Sequence, residues 1–238
     1  MNHRPGDDGQ FDRLWEEAGH SDAPESLVAA ISSRLCSGLR AVAPAPSPAN
    51  MAVRLFLLIV LVTLAVTSLM GLSGAVRMTT LQRLLVSIAL ASGAALLALS
   101  LSWQMIPGSL QRFSPVAALA LTLAGFLAAV ALLFPLRHSA DDLASGLECT
   151  RGGVAIAFPA AFLIWLLVRR GASQAYPLVG ATIGGASGLV SVAVLQFHCE
   201  KQEMVHLSLW HGCVVILCGL TGFAAGTAFR EWRLRTAR

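Results

Sequence analysis

From Arg54 onward the chain is a succession of apolar runs of about 16–25 residues, separated by short charged or turn-forming breaks. A hydrocarbon core of about 30 Å takes roughly 20 helical residues to cross, whereas a barrel strand needs only about 9–11. Within lipid a helix satisfies its backbone hydrogen bonds segment by segment, so runs of this length specify a helical bundle. The spans read as Leu55–Val76, Leu84–Met105, Pro115–Leu136, Val154–Val168, Pro177–Phe197 and His206–Phe229. The expected fold class is therefore all-α: a polytopic membrane bundle of six transmembrane helices behind a short amphipathic helical head. Charge content agrees, since 13% of residues are charged against roughly 25% in soluble domains. Residues 1–50 are polar and hold no apolar h-region, so no cleavable signal peptide is expected. The first span is expected to act as its own insertion signal. The domain division follows: head and linker over 1–50, membrane domain over 51–238.

Arginine placement orients the bundle. Arg34, Arg40, Arg54, Arg112, Arg169, Arg170, Arg230, Arg233, Arg235 and Arg238 fall on one side, and Arg77, Arg83, Arg137, Arg151 and Lys201 on the other. The side richer in basic residues faces the cytoplasm, which puts both termini there. The net charge of +4 thus reports membrane anchoring, because the basic residues are dispersed at span ends. They form no stripe of the kind that reads nucleic acid, so no direct nucleic-acid partner is expected, only lipid and protein.

Ahead of the first span, residues 22–42 pattern as one amphipathic helix, with Asp22 as cap, Pro24 in the first turn and Glu25 three residues on. Leu27, Ile31, Leu35 and Leu39 recur every fourth residue and make one apolar stripe. The run Ala43-Pro44-Ala45-Pro46-Ser47-Pro48 then forms a stiff extended linker. About 50 residues cannot bury a sizeable core alone, so the stripe must find another surface. The membrane interface, the bundle and a soluble partner all qualify. A mixed polar face (Glu25, Ser26, Ser32, Ser33, Arg34) favours the partner.

Within the spans, Gly180, Gly184 and Gly188 repeat every four residues, and Gly222 and Gly226 do the same. Such small-residue faces let helices approach closely. Chemistry concentrates in the breaks between later spans. Cys149 and Cys199 lie in the two net-acidic gaps and emerge on one face if the chain crosses six times. Around them stand His138, Asp141, Asp142, Glu148, His198, Glu200 and Glu203. Thiol, imidazole and carboxylate together make a ligand set for a soft or borderline divalent metal, and an oxidising compartment equally permits a disulfide. If a metal is held, Cys149, Cys199 and His198 are its expected ligands, with Glu148, Glu200 and His206 as accessory candidates. No resident cofactor is expected beyond such a transient ion. His206 and His211 are five residues apart, which on an α-helix points their imidazoles in different directions and argues against joint chelation. Cys213 and Cys218 read as packing residues.

Catalytic signatures are missing: no Cys-x-x-Cys, His-Glu-x-x-His, phosphate loop or Gly-x-Ser-x-Gly. The spans hold no Asp, Glu or Lys relay for transport. The chain is not expected to be an enzyme.

The stretch Cys149-Thr150-Arg151, Pro159, Arg169-Arg170-Gly171, the glycine-rich fifth span, His198-Cys199 and Leu209-Trp210-His211 resembles the NrsF family. The run Leu39-Arg40-Ala41-Val42-Ala43-Pro44 before the first span is similar too. That family consists of bacterial membrane anti-sigma factors, negative regulators of sigma factor F. The resemblance implies an inner-membrane protein that holds an extracytoplasmic-function sigma factor through its head. It further implies two periplasmic cysteines, here Cys149 and Cys199, that govern release under oxidative or heavy-metal stress. One departure stands out: Glu200-Lys201-Gln202-Glu203 follows His198-Cys199 where the family often has proline and acidic residues. An alternative is a membrane carrier or small-molecule binding protein with its site between the glycine-rich spans. A thiol oxidoreductase is a third, disfavoured because no second external cysteine pair exists.

Overall fold

The computed structural model describes residues 47–106, 114–137, 142–169, 171 and 175–236, with the isolated positions Ala29 and Ser33, both helical and exposed. The chain divides into units Met1–Pro44 and Ala45–Arg238, and the helices below belong to the second. Leu27, Ile31, Leu35 and Leu39 lie outside the described residues, as do His138, Asp141 and Arg170.

Helices account for the second unit: α1 (Pro48–Met70), α2 (Ser73–Arg77), α3 (Thr80–Gln104), α4 (Pro115–Leu133), α5 (Asp142–Val168), α6 (Tyr176–His198) and α7 (Met204–Thr236). All but α2 are long and apolar enough to cross a membrane, six among the described residues. The chain is a multipass membrane protein of all-α class.

Helix starts are chemically marked. Ser47 accepts from the Asn50 amide and Ser114 from that of Ala117, each just ahead of a proline in the first turn. Thr79 and Gln82 form a reciprocal capping box, with bonds of 3.2 and 2.8 Å, that opens α3.

Three boundaries depart furthest from the sequence expectation. The first span ends at Met70, not Val76, because Gly71 adopts φ of 91°, a backbone state open to glycine. The sixth runs on to Thr236, so Arg230, Arg233 and Arg235 ride on its last turns. The fourth begins at Asp142 rather than Val154, and its apolar stretch covers Leu143–Val168. Gly146, Gly152 and Gly153 disguise that extension as a loop. Gly146 lies flat under the Trp210 indole, and Gly153 faces Leu195 and Val214, so neighbouring helices supply what propensity lacks.

The centre of the bundle is α6. Of its hydrophobic window 83% is buried, against 17–44% for the other spans. Small residues make this position tenable. A Cβ on Gly180 would strike the Gly222 carbonyl, and one on Gly184 the carbonyl of Cys218. The two backbones therefore touch along α6 and α7, as the four-residue glycine spacing leads one to expect. The hydroxyls buried on α6 are satisfied locally: Thr182 donates to the Leu178 carbonyl at 2.8 Å, Ser187 to that of Gly184 at 2.9 Å and Ser191 to that of Ser187 at 3.1 Å. Gln104 on α3 reaches across to Thr182 at 3.1 Å.

One end of the bundle gathers the close of α1, α2, the close of α6 and the starts of α5 and α7. Gly74 abuts the Cys199 carbonyl, Ser73 donates to the His198 carbonyl at 2.5 Å, and the Met204 amide donates to the Pro135 carbonyl at 3.0 Å. Arg77, whose position opposes the charge rule, is neutralised there by Glu200 at 2.7 Å.

Valine in place of Gly184 is expected to force α6 off α7 at a cost of about 1–3 kcal/mol, read as a lower thermal midpoint of the detergent-solubilised protein. Gly125→Ala, where an added Cβ meets nothing within 4 Å, serves as the matched control and should hold or slightly raise the midpoint. Equal midpoints for both variants would contradict the packing described.

Candidate functional site

Three helices meet at the thiol end. Cys199 is the residue that closes α6, its amide bonded to the Leu195 carbonyl at 2.7 Å. Cys149 stands within the early turns of α5 rather than in the expected loop, a consequence of the helix starting at Asp142. The two sulfurs lie 3.7 Å apart. Cys199 is buried and Cys149 half-buried, and neither forms a disulfide.

The third contribution comes from α7 and depends on an irregularity. Leu207–His211 is a π-helical turn, in which the Gly212 amide reaches the Leu207 carbonyl. On an α-helix a five-residue step rotates a side chain by about 140° from its start; an i→i+5 turn brings it back onto the same face. The expectation that His206 and His211 point apart is overturned for this reason. Their rings meet edge to face with centroids 5.5 Å apart, and both side chains are fully buried. The Trp210 carbonyl of the widened turn accepts from the Cys213 thiol at 3.1 Å and from Thr150 at 3.5 Å. Such π-turns are rare and are frequent at functional sites.

Four side chains result. The ligand atoms of Cys149, Cys199, His206 and His211 all lie within 4.8 Å of one another. Among the described residues this is the one group of metal-capable side chains so arranged. His211 stands in it, whereas Glu148, His198 and Glu200 do not; Glu200 is engaged with Arg77 instead. His206 Nε2 lies 3.6 Å from Cys199 Sγ. Among the described residues neither ring nitrogen of His211 has a hydrogen-bond partner. A buried polar group left in that state costs about 1–3 kcal/mol, so the arrangement is one that stability alone does not favour.

The turn carrying Cys199 is tightly held. Gln202 Nε2 donates to the Cys199 carbonyl at 2.6 Å and to the Gln196 carbonyl at 3.2 Å, while Gln196 Nε2 donates to Gln202 Oε1 at 3.0 Å. Lys201 Nζ donates to Ser145 Oγ on α5 at 2.8 Å, which pins the turn to the helix that bears Cys149. The hydrogen bond from Cys149 draws the Cys199 thiol below its ordinary pKa; His206 by its contact and His211 by its proximity lower it further, against the effect of burial. Cys199 is thereby the member of the couple whose surroundings favour the thiolate.

Residues 35–232 match a known family, described as NrsF, negative regulator of sigma F. The chain belongs to that family. As a member it is a negative regulator of a sigma factor, which makes a sigma factor its partner and a regulatory role, not catalysis, its expected business. No curated protein and no solved structure matches the chain. The other concavity of note, an apolar cleft of about 930 Å³ between α5, α6 and α7, is lined by residues such as Phe158, Trp165 and Phe229, with Arg169 as its charged member. Its described lining brings together no group of metal-capable side chains of the kind found at the thiol end.

A depressed Cys199 pKa has a definite sign. In the reduced full-length protein, the rate of Cys199 alkylation, followed by peptide mass spectrometry, should reach half its plateau well below the ordinary thiol midpoint of about 8.5. Cys149→Ala removes the donated hydrogen bond and should move the midpoint upward. A wild-type midpoint at the ordinary value would refute the sharing of a proton between the two sulfurs.

Proposed function

We propose that this NrsF protein retains an extracytoplasmic-function sigma factor at the bacterial inner membrane and releases it when its paired thiols change state. The head carries the hold: Leu27, Ile31, Leu35 and Leu39 form the apolar stripe, and a segment too small to bury its own core gains stability by laying that stripe in a groove of the sigma factor. With both termini cytoplasmic, Cys149 and Cys199 face the periplasm, where an oxidant or a thiophilic metal reaches them first.

The observation that carries this reading is the 3.7 Å contact between Sγ of Cys149 and Sγ of Cys199, made by the start of α5 and the end of α6. Any event that bonds, bridges or blocks this couple acts on two helices at once. Because α6 is the buried centre of the bundle, a shift at its end is felt by α1, α3, α5 and α7. The energetic demand is modest. A differential of about 2–3 kcal/mol between bound and free states changes occupancy about 30- to 150-fold.

Removing residues 1–45 should give constitutive sigma-dependent transcription, because the hold is lost while the sensor remains. Replacing both Cys149 and Cys199 by serine should do the reverse, keeping repression and abolishing induction by oxidant or metal. A sigma-dependent reporter in cells separates these outcomes. Unchanged induction in the double serine variant would sink the sensing half, and unchanged repression without the head would sink the holding half.

A further inference from the structure

We propose that Cys149, Cys199, His206 and His211 form a four-ligand site for a borderline-to-soft divalent metal ion of the zinc or cadmium class. The proposal deepens the thiol-sensing part of the reading above and rests on the same cluster. Metal binding is nevertheless measured without any sigma factor, so the two can fail separately.

The four ligand atoms lie within 4.8 Å of one another, and the two shortest contacts at Cys199 match the edges of a tetrahedral zinc site. With metal–sulfur bonds of about 2.3 Å and metal–nitrogen bonds of about 2.0–2.1 Å, the corners of the tetrahedron lie about 3.8 Å apart for two sulfurs and about 3.5 Å for sulfur and nitrogen. The sulfurs stand at 3.7 Å and Cys199 Sγ to His206 Nε2 at 3.6 Å. A disulfide requires sulfurs at about 2.05 Å and gives neither imidazole anything to do.

A second, independent observation points the same way. His211 is fully buried, and neither of its nitrogens has a hydrogen-bond partner among the described residues. The π-turn Leu207–His211 that brings it beside His206 is a departure from regular helix. Metal ligation supplies the missing partner and a use for the turn.

The donor set selects the ion. Two thiolates and two neutral imidazoles suit zinc or cadmium, whereas magnesium and calcium need oxygen ligands. The thiolate charges and the ion's charge cancel, so the loaded site is neutral, as burial at the end of a membrane bundle demands. Binding releases the thiol protons to solvent, and no electron is transferred. All four positions belong to the protein, the mark of a closed site without a place for substrate. The ligands come from α5, from the end of α6 and from both edges of the π-turn in α7, so a single ion clamps three helices.

The test is titration of the reduced full-length chain, in detergent or nanodiscs, with Co²⁺ as spectroscopic probe and Zn²⁺ as competitor. One Co²⁺ per chain should bind, with the visible bands of tetrahedral cobalt and a sulfur-to-cobalt charge-transfer band, and Zn²⁺ should displace it. His211→Ala and Cys149→Ser should each weaken binding by more than about 100-fold, beyond what loss of a mere outer-shell partner costs; His198→Ala should leave it unchanged. His211→Cys keeps a ligand in place, so it should retain binding with a stronger charge-transfer band, and it decides the matter if the alanine variant misfolds. Failure of the reduced wild type to take up Co²⁺ or Zn²⁺ would overturn the proposal. So would a His211→Cys spectrum identical to wild type.

Discussion

Backbone contact between α6 and α7 is the constraint from which the rest of the molecule follows. Gly180 against Gly222, and Gly184 against Cys218, leave no room for a side chain between the helices. Lipid gives no hydrophobic drive for helices to associate, so close van der Waals fit has to supply it. Once the two helices are locked, the end of α6 and the start of α7 have fixed relative positions. Cys199 sits on the one and His206 and His211 on the other. A looser crossing would separate the thiol from the imidazoles.

In the proposed reading, that same constraint couples the cluster to the bundle. The turn between α6 and α7 is short and tied down by Gln202, Ser73 and Lys201. It therefore cannot absorb a change at Cys199 by local relaxation alone. A ligand or covalent event at the sulfurs would bear on α5 through Cys149 and on α7 through the histidines. The first helix, α1, runs from Pro48 to Met70 and is followed directly by α2, whose Ser73 and Gly74 touch this turn. Along the chain, α1 is the one span between those contacts and the segment that carries the Leu27–Leu39 stripe.

Much of this is legible in the sequence, and for identifiable reasons. Length and polarity of the apolar runs specify the six helices, and glycine spacing specifies the α6–α7 contact. Crossing parity alone puts Cys149 and Cys199 at one end. What escapes the sequence depends on tertiary context. The early turns of α5 contain Gly146, Gly152 and Gly153 and look like a loop until Trp210 packs on the first and Leu195 and Val214 on the last. His211 is lost to any reading that takes helical periodicity as uniform; the π-turn at Leu207–His211 breaks that uniformity at one place. A five-residue His spacing beside a span start is the signal that flags it. The apolar stripe of the head lies outside the described residues, and its role rests on pattern and on kinship with NrsF proteins.

Occupation of the thiol end should change the grip of the head, and the affinity for the sigma factor reports this most directly. It is measured on the purified full-length protein in nanodiscs, with and without Cd²⁺, beside the Cys149→Ser, Cys199→Ser double variant. Cd²⁺ is expected to weaken the wild-type complex by about 30- to 150-fold and to leave the double variant unaffected. Equal affinity in both conditions, or an equal loss in the variant, would contradict a link between thiols and head.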